Sequence, residues 1–146
     1  MSRAPGMLLT GLKTRRRVRS MVLDFDPSLP SEEVSPHWIR SIIKARRRRE
    51  QIFSHGIFAD PGWDILLELY AVELARERAS VTEVCRVAAV APTTGLRWIG
   101  QLEQAGLISR NPDTEDRRRV FLKLTSAGVV AMQRYFEAGG SHVVAV

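Results

Sequence analysis

The sequence predicts a mainly α-helical fold in which two short helices precede a two-stranded hairpin and further helices flank them. Three observations lead to this prediction. A capping-box pattern, Ser-Val-Thr-Glu at residues 80–83, begins one short helix. Pro92 and Gly106 bracket a second helix, of about three to four turns. Residues 120–124 alternate with the period of two that a strand requires.

Length and charge favour one folded domain with basic residues at its start. The chain has 146 residues, of which 45% are hydrophobic, enough for a core. The formal net charge of +6 comes from the basic positions between Arg3 and Arg19, and the remainder is neutral. Any nucleic-acid surface there must arise from local clustering. We expect a flexible basic arm and linker (1–35), a folded domain (36–138) and a C-terminal tail (139–146). The arm either contacts phosphates or is a solvated extension.

The composition argues against secreted, membrane and catalytic classes. The single cysteine, Cys85, allows no disulfide within the chain and fits a reducing compartment. No stretch has the apolar length of a membrane span, so we expect a cytoplasmic protein without a membrane partner. His37, His55 and His142 have no ligand spacing, and no nucleophile motif is present. We therefore expect no metal, no cofactor and no enzymatic activity.

Two helices are predicted before residue 80. The first begins at Pro36 and reaches about Phe53, with an apolar stripe of Trp38, Ile39, Ile42, Ala45, Ile52 and Phe53. Arg46–Arg49 interrupt this stripe, and four consecutive residues sweep around a helix, so they cannot share one partner. We expect these arginines to form a solvated or ion-paired face, in which some of them pair with acids of the next helix. The alternative is that the other arginines of the run contact nucleic acid.

The second helix begins at Asp60-Pro61, an acidic N-cap followed by proline in the first position. The side chains predicted to face inward are Leu66, Leu69, Tyr70 and Leu74. The acids Asp64, Glu68, Glu73 and Glu77 are predicted to lie on more exposed faces.

The helix from Pro92 has two chemically different sides. Leu96, Ile99 and Leu102 recur at the spacing of one buried stripe. The other side carries Thr93, Thr94, Arg97 and Gln101, and no carboxylate. Such a surface suits a negatively charged groove in which base edges are within reach. With the short helix from residue 81, in which Val84, Val87 and Ala88 face inward, it is predicted to form a helix-turn-helix.

A hairpin and a last helix follow. Residues 107–109 and 120–124 are predicted strands, joined by a polar connection with Arg117, Arg118 and Arg119 at its exit. One interpretation is a self-paired surface hairpin in which the neighbouring acids neutralise these arginines. We favour a wing that contacts DNA, because arginine fits a narrow, electronegative minor groove. Asp116 would then orient an arginine. The last helix is expected over residues 126–138.

Three motifs in register resemble the winged helix of MarR-type transcriptional regulators. They are the run Leu102–Arg110, the triplet at residues 116–118, and Leu124-Thr125-Ser126-Ala127-Gly128, and the resemblance covers about residues 61–138. It implies a DNA-binding dimer, with the recognition helix in the major groove and a wing arginine in the adjacent minor groove. Arg97 matches the recognition-helix arginine, and Arg117 and Arg118 match the wing pair.

The chain departs from the family pattern at three places. Ala91 replaces the usual capping serine, and Gly95 lies inside the recognition helix, each costing up to about 1 kcal/mol. We therefore expect binding to order this helix further. The last helix is short, so dimerisation through the helix from Pro36 to Phe53 is the alternative to a terminal-helix dimer.

The sequence thus predicts a sequence-specific regulator that binds double-stranded DNA. One alternative is a winged-helix module that binds a protein. Another is a sequence-independent nucleic-acid binder that uses the arginine-rich arm. The resemblance implies a small-molecule effector for many relatives, and nothing in the residues identifies one for this chain.

Overall fold

Helices dominate the part of the chain that the computed structural model describes, residues 33–54 and 56–138. The predicted arm, most of the linker and the tail lie outside these residues. The elements follow the order α1 (Pro36–Phe53), α2 (Pro61–Ala75), β1 (Ala79–Ser80), α3 (Val81–Val87), α4 (Pro92–Gln104), β2 (Ile108–Pro112), β3 (Val120–Leu124) and α5 (Ser126–Ala138). The predicted mainly α-helical fold is confirmed. Among these helices, none is long and apolar enough to cross a membrane.

Local capping explains where the helices begin. The Ser35 hydroxyl accepts the backbone N–H of Trp38 at 3.2 Å, which starts α1. The Asp60 carboxylate accepts the N–H of Trp63 at 3.3 Å, which starts α2 as predicted. Both side chains satisfy an N–H that has no partner inside the helix.

Helix α2 lies at the centre of the hydrophobic core. Ile65, Leu67 and Leu69 are at most 1% exposed, and the helix contacts α1, α3, α4, α5 and β3. The prediction of a single inward stripe is therefore partly wrong. Leu74 is 37% exposed and Leu66 is only partly buried. Neighbours surround the middle of α2 and leave its last turn open, so periodicity alone does not identify the buried residues.

Helix α1 buries only its first half. Ile39, Ile42 and Ile43 are buried, whereas the predicted stripe members Ala45, Ile52 and Phe53 are exposed. The change occurs at the arginine run, where ion pairs to α2 replace apolar contacts. The predicted continuation of the stripe to the end of α1 is therefore wrong.

The strands form one three-stranded antiparallel sheet in the order β1-β3-β2. Strands β2 and β3 pair from Ile108↔Leu124 to Pro112↔Val120, which gives the predicted hairpin. The predicted two-stranded wing is confirmed, and a third strand, which was not predicted, joins its sheet because Ala79 and Ser80 pair with Leu122 and Phe121 of β3. A two-residue strand is too short to produce a periodic signal in the sequence.

The turn after α4 is tied to the start of α5. Gly106, at a φ of 73°, donates its N–H to the Glu103 carbonyl, and Leu107 donates to Leu102, a glycine-terminated helix end. The Thr125 hydroxyl donates to the Gly106 carbonyl at 2.6 Å and accepts the N–H of Gly128 at 3.0 Å. A Cβ on Gly128 would lie 2.1 Å from the Leu107 carbonyl oxygen. These contacts fix the sheet against the end of α4.

Candidate nucleic-acid interface

Helix α4 presents most of the predicted polar residues to solvent. Thr93, Arg97 and Gln101 are exposed, and Thr94 is partly buried at the edge of the same face. Within residues 33–54 and 56–138, Arg97 takes part in no ion pair, so its guanidinium is available to an external acceptor. The face therefore combines one free cation with three hydrogen-bonding side chains.

The inner side of α4 differs from the predicted stripe at one position. Ile99 and Leu102 are buried as predicted, but Leu96 is 44% exposed, so its prediction as a core residue is wrong. Gly95 is the third buried position instead, and residues 95, 99 and 102 have the spacing of one helical stripe. Leu96 consequently joins the polar face beside Arg97, where an exposed apolar group can contact a thymine methyl. In the sequence, Gly95 was the signal that could have identified this buried stripe.

Two glycines allow α4 to pack closely against its neighbours. A Cβ on Gly95 would lie 2.3 Å from Cys85 Sγ of α3. A Cβ on Gly62, in the first turn of α2, would lie 3.0 Å from Cε3 of Trp98. Trp98 is partly buried against the core. The angle at which α4 crosses α2 and α3 therefore depends on these two close approaches.

Helix α3 supports α4 from a capped start. The Ser80 hydroxyl accepts the N–H of Glu83, and the Glu83 carboxylate accepts the Ser80 N–H at 2.8 Å, which confirms the predicted capping box. These two Ser80 groups, the N–H and the hydroxyl, lower the pKa of Glu83 below its usual range. Burial raises the pKa of the Cys85 thiol, the opposite of the shift that activates a cysteine.

The acids of the wing, the connection at residues 113–119, stabilise its backbone. Asp113 accepts the N–H of Glu115, and Asp116 accepts the N–H of Arg118, each at 3.0 Å. Asp116 thus holds the backbone of an arginine rather than its side chain. In this connection, all of which the structure describes, no ion pair joins a carboxylate to an arginine. The self-paired interpretation of the hairpin is therefore not the one observed.

The three wing arginines are not equivalent. Arg117, Arg118 and Arg119 are all exposed. The positive charge of Arg119 contributes, as the smallest of several causes, to the lowered pKa of Glu83 on α3. Its backbone closes the wing, because the N–H of Arg119 donates to the Asp116 carbonyl at 2.9 Å. Arg119 therefore lies at the base of the wing.

Helix α4 and β2 are joined directly. Arg110 of β2 forms an ion pair with Glu103 of α4 at 3.0 Å, close to the turn at Gly106. The predicted residues of the helix and of the wing thus extend from two elements that share one fixed turn.

The arginine run of α1 is mainly occupied within the protein. Asp64 is 1% exposed and is bound by Arg46 Nε at 2.5 Å and by Arg47 Nη2. The prediction of an exposed Asp64 is therefore wrong, because the run supplies two cations to this carboxylate. Arg49 lies over the ring of Phe58 at 4.9 Å. The expected pairing of some arginines with α2 is confirmed, and Arg48 remains exposed.

A cavity of about 550 Å³ lies between the C-terminal half of α2 and the wing. The buried side chains of Leu69, Val72 and Leu122 line it, together with charged residues of both signs. In the described ranges, no group of His, Cys, Asp or Glu side chains has an arrangement that could hold a metal ion. His55 and His142 lie outside those ranges.

Comparison with known proteins identifies this architecture. Residues 62–128 match the family model described as a winged helix DNA-binding domain. This part of the chain, which contains α3, α4 and the wing, is therefore similar to winged helix DNA-binding domains. Among curated proteins, no match is found.

Solved structures agree in fold. MepR from S. aureus in its DNA-binding conformation is 19% identical, with 72% of this chain and 76% of that chain covered and a TM-score of 0.50. The transcriptional regulator Tm0710 from Thermotoga maritima is 27% identical, with 69% and 67% covered and a TM-score of 0.48. A mutant of MarR from E. coli is 19% identical, with 70% of this chain and 71% of that chain covered and a TM-score of 0.48. The predicted winged-helix fold is confirmed.

Proposed function

We propose that this protein is a sequence-specific transcriptional regulator that binds double-stranded DNA through α4 and the wing. The observation that carries the proposal is the exposed face of α4, on which Arg97 has no partner within the described residues. An α-helix fits the major groove, where arginine can donate two hydrogen bonds to guanine O6 and N7. Thr93, Thr94 and Gln101 supply further donors and acceptors on this face.

The wing is the second part of the proposed interface. Its arginines are exposed, and Asp113 and Asp116 accept backbone N–H groups of the turn instead of pairing with them. We assign Arg117 and Arg118 to the adjacent minor groove, whose narrow, A·T-rich segments attract arginine. Arg119 belongs to the same surface, and its position near Glu83 makes a phosphate at the groove edge its expected contact.

The full chain is proposed to act as a homodimer, with the arm (1–35) and the tail (139–146) outside the winged helix. Support comes from large apolar side chains exposed at the end of α1 and just beyond it, Ile52, Phe53 and Ile57. Large exposed apolar side chains that lie close together in the sequence are consistent with a protein interface. Sedimentation equilibrium measures the oligomeric state. A chain that is monomeric at concentrations that saturate DNA would contradict this part of the proposal.

The test compares genomic-fragment and random duplex DNA across a salt series. We expect Arg97→Ala to lower discrimination between them by about 1–3 kcal/mol, because a base contact is lost. Arg134→Ala is the matched control, since it removes an exposed arginine from α5 and should leave discrimination unchanged.

Three results contradict the proposal in different ways. The absence of DNA binding by the wild-type chain at low salt would favour a protein-binding module. A steep salt dependence without sequence preference would favour a sequence-independent nucleic-acid binder. An equal loss on all sequences for Arg97→Ala would remove the base-reading role of that residue.

A further inference from the structure

Gly100 is partly buried and lies in the middle of α4, on the side of the helix that carries Arg97. Its neighbours one turn away on this surface are Leu96, Arg97 and Gln104, and all three are exposed. A Cβ added to Gly100 would meet nothing within 4 Å. The fold therefore leaves room for a side chain at position 100, although the residue there is glycine.

The other glycines at this helix have packing reasons that Gly100 lacks. Gly95 leaves space for Cys85 Sγ, and Gly62 leaves space for the Trp98 ring. Glycine inside a helix is unfavourable relative to alanine, because glycine loses more conformational freedom than alanine when the chain folds. Nothing inside the described part of the protein compensates for this cost at Gly100.

We propose that Gly100 is a DNA-contact position at which the helix backbone approaches the nucleic acid too closely for any side chain. This inference rests on the proposed function and adds a specific residue to its interface. Glycine is the residue type that permits close approach of backbone to a ligand. Closer approach also lets Arg97, three residues away on the same surface, reach further into the groove. A side chain at position 100 would hold the helix away from the base edges.

Flexibility of α4 is a different explanation for the same glycine, and it predicts the opposite change in DNA affinity when Gly100 is replaced by alanine. If Gly100 served only to keep α4 loosely ordered before binding, alanine would pre-order the helix. Pre-ordering removes an entropy cost from association and strengthens binding. A close approach instead makes alanine stabilise the free protein and weaken the complex. Stability and affinity thus change in opposite directions only if the backbone approaches DNA closely.

The experiment measures both quantities for Gly100→Ala and Gly100→Leu in the full chain. Thermal unfolding without DNA gives Tm, and titration with the duplex bound best by the wild type gives Kd. We expect Gly100→Ala to raise Tm by about 2–4 °C, because alanine is the better helix former. We expect its Kd to rise about tenfold, and that of Gly100→Leu about a hundredfold, since the steric loss grows with side-chain size. Ala45→Leu is the control, because it also introduces a leucine at an exposed position of a helix, in this case α1.

Each outcome decides the matter. Equal or tighter DNA binding by Gly100→Ala overturns the inference and leaves the proposed function intact. A lower Tm overturns it as well, because position 100 would then not be open. A wild-type chain that binds no DNA removes the proposed function and this contact together. A graded loss of affinity in proteins at least as stable as the wild type supports the close approach.

Discussion

Gly95→Ala should destabilise the protein although alanine is the better helix former. The added Cβ would lie 2.3 Å from Cys85 Sγ, a separation that atoms in proteins do not adopt. Cys85 is 5% exposed, so its sulfur has no open space to enter. Further atoms restrict the site, since Cys85 Cβ and Val90 Cγ2 would lie at 3.3 and 3.4 Å. Helices α3 and α4 must therefore move apart.

The magnitude follows from two opposing terms. Overpacking of a buried site costs typically about 1–3 kcal/mol. The gain in helix propensity from glycine to alanine returns about 0.5–1 kcal/mol. We expect a net loss of about 1–2 kcal/mol in the free energy of unfolding for Gly95→Ala.

A double-mutant cycle with Cys85→Ala isolates the steric contact. Cys85→Ala removes the sulfur and leaves only the two longer separations, so the substitution at Gly95 should cost at least about 1 kcal/mol less in this background. Urea unfolding of the four proteins, followed by tryptophan fluorescence, measures the coupling. Additive single effects would refute the reasoning, because they would show that the sulfur does not restrict position 95.

Two further predictions concern charged groups. Asp64→Asn should lower the free energy of unfolding by about 3–5 kcal/mol, because two largely buried arginines lose their carboxylate. Urea unfolding measures this loss, with Asp116→Asn at an exposed position as the comparison. A loss near zero for Asp64→Asn would contradict the prediction. Glu83→Gln should keep the capping box but reduce the loss of stability on acidification. The folded pKa of Glu83 is lowered, so its contribution is present above the unfolded value of about 4.3 and disappears as the pH falls through the folded pKa. Unfolding curves between about pH 6 and pH 3 test this, and parallel pH profiles would exclude a role for Glu83.

Capping and turn residues made much of the helix-turn-helix predictable. Ser80 with Glu83, Pro92 and Gly106 define element ends by local hydrogen bonding, and local chemistry is present in the sequence. The buried positions were less predictable, because they depend on which elements surround a helix. Gly95 seemed only to weaken α4, whereas its contact with Cys85 makes it a packing residue. That contact joins two helices whose relative position the sequence does not give.

Two of the arginine runs in the chain show why the candidate site needed the structure. Arg46–Arg49 and the wing arginines are equally basic as sequence, and acids lie near both. What separates them is the geometry of the acids. Asp64 is buried and directs both oxygens at Arg46 and Arg47, and Glu50 also pairs with Arg47, so these two carboxylates neutralise two charges of the first run inside the protein. In the wing, the carboxylates of Asp113 and Asp116 accept backbone N–H groups. A short turn needs such acceptors, and the same hydrogen bonds that shape the wing leave its guanidinium groups uncompensated. The charge available to DNA is therefore a consequence of how the turn is built.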